Sequence, residues 1–143
     1  MVLDVRGLSV RFAVERGAWR RRAGWVRAVD DVSLRVAPRE TLALVGESGS
    51  GKTTVGRAIL RLVEAQAGQV LIGGPDDAQD WRQLEGEALR RERWRAQVVF
   101  QDPASSLSPR RTVRELVDGP RHLYPARVVE PVEALLARVG LSE

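Results

Sequence analysis

The chain has no cysteine, one histidine and one methionine among its 143 residues. Disulfides and thiolate metal sites are therefore excluded, a composition that suits the cytoplasm. Aromatics are scarce at 5%. No apolar stretch reaches the length of a membrane span, and Asp4 and Arg6 interrupt the N-terminal ten residues, so neither a signal peptide nor an anchor is readable. Lysine is nearly absent too: among 23 basic residues every one but Lys52 is arginine. A net charge of +4 raises the question of nucleic acid, but the arginines alternate with acids along most of the chain. That pattern reads as a solvated surface, and no nucleic acid is expected. One basic cluster, Arg20-Arg21-Arg22 between Trp19 and Trp25, stands apart and reads as an exposed hairpin or loop.

What is present is concentrated around the lone lysine. Gly46-Glu47-Ser48-Gly49-Ser50-Gly51-Lys52-Thr53 is a full phosphate-loop pattern, with Thr54 next in the chain. Glycines let backbone N–H groups approach a polyphosphate, Lys52 supplies a point charge to the outer phosphates, and the Thr53 hydroxyl is a ligand for Mg2+. The pattern implies a nucleoside triphosphate with Mg2+, provided that a strand precedes it and a helix comes after. Thr41 to Val45 is a short apolar run of the kind found in a buried parallel strand. Val55, Ala58, Ile59, Leu62 and Val63 recur at helical spacing, with Gly68 as a helix exit.

Elsewhere, Leu3 to Phe12 and Ala28 to Val36 alternate apolar and polar residues and predict antiparallel strands with one wet face. Gln69 to Ile72 predicts a short strand closed by Gly73-Gly74-Pro75, and Asp76, Asp77 and Asp80 a surface turn into a helix over about Gln83 to Arg95. Gln97 to Phe100 predicts another buried strand that Pro103 ends. Thr112 and Glu115 have capping-box spacing, Gly119-Pro120 breaks that helix, and Pro131 opens another that Gly140 closes. The fold class is therefore α/β, a single domain over 1–143, β-rich over 1–100 with a helical outgrowth over 101–143.

Phe12, Ala28-Val29-Asp30, Gly46 to Thr54, and Val99-Phe100-Gln101-Asp102-Pro103 with Ser105 to Arg110 resemble, in that order, the N-terminal portion of an ABC transporter ATP-binding subunit. Within that family the chain is most similar to the oligopeptide, dipeptide and nickel importer branch. The resemblance implies a P-loop NTPase core with N-terminal antiparallel strands and the start of a helical subdomain. It also implies ATP and Mg2+ as ligands, with Lys52 and Gln101 in the catalytic role and Thr53 and Gln101 at the metal. Phe12 corresponds to the aromatic that stacks on adenine, although a core Phe, or Trp19 or Trp25 as the platform, remain alternatives. Implied partners are transmembrane permease subunits and a second ATP-binding subunit, head to tail, at the inner face of the cell membrane.

Beyond Gln101 the sequence departs from the family pattern. No apolar strand ending in Asp-Glu and no Leu-Ser-Gly-Gly-Gln signature occurs, Leu141-Ser142-Glu143 being only an echo, and His122 precedes the place of the family's switch histidine. The expectation is a front portion that binds nucleotide and turns it over poorly. The alternatives are a non-hydrolysing remnant or regulatory fragment and a small-molecule kinase. A GTPase is excluded, because its guanine-reading motif needs a second lysine.

Overall fold

The computed structural model describes residues 2–16, 21–74, 76–102 and 106–141, with the main chain alone at 15–16 and 21–23. Trp19, Arg20, Pro75, Pro103, Ser105, Ser142 and Glu143 lie outside the described residues. Two units divide the chain, one up to Gln97 and one from Val98.

The first unit is built on a four-stranded antiparallel sheet. β1 (Leu3–Arg16), β2 (Arg21–Val36), β3 (Ala67–Ile72) and β4 (Gln79–Asp80) are ordered β2-β1-β3-β4. Leu3, Val5, Leu8 and Val10 fall on one face of β1 because the extra residue at Gly7, φ +59°, restores the alternation that a straight strand would have lost. The facing residues on β2 and β3, among them Val29, Val70 and Ile72, complete a buried layer. Each such Val or Leu contributes about 1.5–3 kcal/mol through burial. Helix α1 (Lys52–Ile59) covers this layer through Val55 and Ala58. On the opposite face Asp4, only 1% exposed, accepts from Arg6 Nε at 2.9 Å and Nη2 at 2.6 Å and from Arg35 Nε at 3.2 Å. Its pKa is lowered, first by the Arg6 hydrogen bond and then by Arg35, against the cost of desolvation.

The two predicted N-terminal strands are present and antiparallel, and they extend into a ribbon whose last described pair is Arg16 with Arg21. Other expectations are corrected. Thr41 to Val45 is not in a strand, and Leu42, Leu44 and Val45 are exposed, Val45 by 88%. Gln97 to Phe100 likewise pairs with nothing among the described residues, and Val99 is 91% exposed. Apolar β-formers become a strand only when a neighbouring strand takes their N–H and C=O groups. Gly68 is not a helix exit but sits inside β3 at φ +98°, where a Cβ would lie 2.6 Å from Arg6 O, Gly7 O and Leu8 Cα. It permits the close approach of β3 to the β1 bulge.

Helix α1 is shorter than its apolar periodicity because the chain reverses at Arg61, φ +53°. Arg61 N bonds Ala58 O at 3.0 Å and Leu62 N bonds Arg57 O at 2.8 Å, a Schellman closure with arginine in the usual glycine position. The Arg61 guanidinium donates to Trp81 O at 2.8 Å and to Leu84 O, which holds the strained residue in place. Trp81, 1% exposed, fills the core beyond β4. The helix predicted over Gln83 to Arg95 is α2 (Gly86–Glu92) continued by a 3-10 turn, Arg93–Arg95.

In the second unit α3 (Val113–Asp118) begins with the predicted capping box: Glu115 N donates to Thr112 Oγ1 at 3.3 Å, and Thr112 N to Glu115 Oε2 at 2.8 Å. Gly119–Leu123 and Pro125–Arg127 are 3-10 turns, and α4 (Val132–Arg138) comes after Pro131, which is its N-cap rather than its first residue. Arg114 on α3 pairs with Glu133 on α4.

Candidate nucleotide site

The phosphate loop is bent by residues that cannot carry a side chain. Gly46, Gly49 and Gly51 all have positive φ, and a Cβ on Gly51, φ +92°, would overlap the Ala28 carbonyl oxygen of β2. Gly51 is also the N-cap of α1, so the loop is seated on the sheet at the point where the helix begins. No side chain caps this helix end and no acid lies in its first turn. The first-turn N–H groups and the positive end of the helix dipole therefore remain available to an anion.

Lys52 belongs to that first turn, and its ammonium returns over the loop. It donates to Gly46 O at 2.8 Å, Glu47 O at 2.6 Å and Ser50 Oγ at 3.1 Å. All three acceptors are neutral oxygens, so an incoming phosphate offers the ammonium a charged partner instead. Ser50 N bonds Glu47 O at 3.2 Å, closing the turn that contains Ser48 and Gly49. Thr53 is exposed and Thr54 half-buried on the same first turn. A hydroxyl oxygen is the hard ligand Mg2+ prefers, and Thr53 fits that role, with the cradle of small residues beside it. Among the described residues no group of three His, Cys, Asp or Glu forms a metal cluster.

These observations describe a loop with the geometry of an anion cradle at the start of α1, resting on β2 through Gly51 and Ala28, without the preceding strand that the sequence pattern leads one to expect. The ABC transporter family model matches residues 29–143, four-fifths of the chain, with the cradle inside the match. The chain belongs to the ABC transporter family. It is 43% identical over 98% of its length to the oligopeptide transport ATP-binding protein AppF of Bacillus subtilis, covering 43% of that protein. It is 45% identical, again over 98% of its length, to the glutathione import ATP-binding protein GsiA of Shigella dysenteriae, covering 22% of it. A putative peptide import ATP-binding protein of Brucella ovis is 44% identical over 81% of this chain, which covers 33% of that protein. The chain thus spans less than half the length of these curated relatives.

As a member of this family, the chain distributes its candidate residues over both units. Phe12 lies on β1 in the first unit, 43% exposed, two residues beyond buried Val10. It is therefore not a core phenylalanine. Gln101, exposed, belongs to the second unit, as do the described parts of the loop after it, residues 106–111. His122 is 77% exposed and its Nε2 lies 3.1 Å from Asp118 Oδ2. The contact of Gly51 with Ala28 is not readable from the sequence. Strand periodicity says which β2 residues face the core, but the carbonyl under the loop depends on the bulge at Ala28, which no pattern of apolar residues announces.

Proposed function

We propose that this chain binds MgATP as part of an ATP-binding subunit of an ABC importer, with peptides as the transported class. The carrying observation is the cradle itself: three glycines at positive φ, seated on Ala28 and closed by Lys52. In this reading Lys52 transfers from Gly46 O and Glu47 O to the outer phosphates, and Thr53 Oγ1 takes Mg2+. Phe12 presents a flat apolar ring to adenine. Gln101 is a neutral amide able both to donate and to accept, the chemistry that sensing Mg2+ and water requires. The names of the relatives, oligopeptide transport, glutathione import and peptide import ATP-binding proteins, support peptides as cargo. In this reading the chain sits peripherally on the inner face of the membrane, beside permease subunits and a second ATP-binding subunit. No helix among the described residues is long and apolar enough to cross a membrane.

These 143 residues contain no Asp-Glu pair of the kind that holds Mg2+ and polarises the nucleophilic water. This favours a second reading of the isolated chain, a nucleotide binder with turnover near background. Titration with MgATP tests both. Saturable binding that Lys52→Ala weakens about 10- to 100-fold, with negligible phosphate release, is expected from loss of a charge-assisted contact. Steady-state turnover that Lys52→Ala abolishes would overturn the second reading, and binding indifferent to Lys52→Ala would overturn the first.

A further inference from the structure

The positive charge of the chain is concentrated in β1, β2 and their connection. Residues 3–36 contain eight arginines against four acids, a balance of +4 that equals the formal net charge of the whole chain, so the remainder is neutral. Strand register gathers part of this charge on one face. Arg11 is opposite Arg27 and Ala13 opposite Trp25, and directly opposed residues of an antiparallel pair share a face. The bulge at Ala28 puts them there. In an unbroken alternation Arg27 and Trp25 would follow Val29 to the buried side, and the extra residue turns both to the face of Arg11. It is the face on which Arg6 and Arg35 flank Asp4.

Like charges set opposite one another on a ladder cost stability, and little within the first unit offsets the cost here. Arg27 Nη1 donates to Asp30 Oδ2 at 2.8 Å, but both side chains are more than half exposed, so the pair is weak and screened by salt. Arg11 has no ion pair among the described residues. Trp25 is 60% exposed beside these arginines. The pairing of β3 with β1 ends at Ser9, so from Arg11 outward the ribbon is two-stranded, with no further strand beside it among the described residues.

We propose that the ribbon face made by Arg11, Arg27 and Trp25 is a docking surface for the anionic headgroups of a lipid bilayer. Headgroup phosphates relieve the repulsion between the two opposed guanidiniums, each supplying the counter-charge that the first unit lacks. The indole, apolar in its body and polar at its N–H, fits the headgroup level, where one end of a side chain meets hydrocarbon and the other water. The choice of a bilayer over another polyanion rests on the importer reading above, which puts the chain beside a membrane.

The test is flotation of the full chain with vesicles of phosphatidylcholine, either alone or with about one-third phosphatidylglycerol. Affinity for the anionic vesicles should exceed that for the neutral ones by about tenfold or more, and should fade between roughly 0.1 and 0.5 M salt. Arg11→Gln and Arg27→Gln should each weaken it about fivefold, the effect of one basic residue near a charged surface, whereas Arg11→Lys, which keeps the charge, should bind as the parent does. Trp25→Ala should weaken it about threefold and remove the blue shift of tryptophan emission that anionic vesicles induce. Arg90→Gln with Arg91→Gln takes charge from α2 instead and should leave vesicle binding within about twofold. Far-ultraviolet spectra confirm that each variant is folded. Equal binding to both vesicle types, or a loss in the α2 variant as large as in the ribbon variants, would overturn the proposal. So would a single-stranded RNA bound more tightly than the vesicles and lost in the same ribbon variants, which would make the face a nucleic-acid contact. A folded sample that binds the anionic vesicles but not MgATP would instead overturn the importer reading, with the docking surface still standing.

Discussion

Val5, Leu8 and Val10 on β1 are sealed from water, whereas Leu42, Leu44 and Val45, an equally apolar run, are exposed, as are Val98, Val99 and Phe100. The difference does not lie in the side chains. β1 has a hydrogen-bonded neighbour on each side, β2 and β3, and a helix over its inner face. Neither exposed run has a ladder partner among the described residues. A hydrophobic strand is a two-sided demand, for backbone partners in the plane and for cover above it, and sequence states only the demand.

The largest expected effect breaks the comparison from the sealed side. Leu8 is 0% exposed at the centre of the core. Leu8→Ala should cost about 2–5 kcal/mol in chemical denaturation, through lost transfer energy and a residual cavity. The same truncation at Leu44 should leave the denaturation midpoint nearly unchanged. Equal losses at the two positions would mean that the 41–45 run is buried in solution after all.

Those parts of the fold whose signals are local are legible in the sequence. The alternation of β1 and β2, the glycines of the phosphate loop and the Thr112 to Glu115 capping box each state a backbone requirement within a few residues. What was not legible depends on long-range contact. Trp81 lies in a polar stretch, Asp80 and Arg82 on either side, and becomes core only because Arg61 and β3 reach it. Gly68 reads as helix punctuation until β3 is laid against the β1 bulge. Arg61 closes α1 in a conformation that sequence assigns to glycine. At the candidate site the phosphate-gripping residues were readable from their spacing, whereas the face presented by Phe12 required the ladder register.

A smaller effect probes Asp4, the buried charged group among the described residues, on the other face of β1. Asp4 has its pKa lowered by the Arg6 hydrogen bond and by Arg35. Its folded value lies below its unfolded one, so its contribution is complete above the ordinary carboxylate range and disappears as pH falls through the folded value. Asp77, held down chiefly by Arg95, and Glu115, by the Thr112 backbone N–H, act in the same direction. Thermal melts should therefore hold steady from neutrality to the upper edge of the carboxylate range and decline below it. In Asp4→Asn the decline should be shallower, from a lower starting stability because Arg6 and Arg35 lose their shared partner. An acid profile with the same slope in Asp4→Asn would assign the pH dependence to the other carboxylates.

The smallest effect sharpens the comparison from the exposed side. Val99 is 91% exposed, and replacing it by threonine preserves the branched shape while adding a hydroxyl that water can satisfy. In a sealed strand that change would bury an unpaired hydroxyl and cost about 1–3 kcal/mol. At Val99 it should move the denaturation midpoint by no more than about 0.5 kcal/mol equivalent. Val10→Thr, made as the matched partner, should show the full penalty, because Val10 is 0% exposed and its face is closed by Val29. The ratio of the two changes measures how far burial, rather than strand-forming preference, sets the stability of each run. A ratio near one would mean that Val99 is covered in solution by a second strand, and the exposed run would then belong to the core.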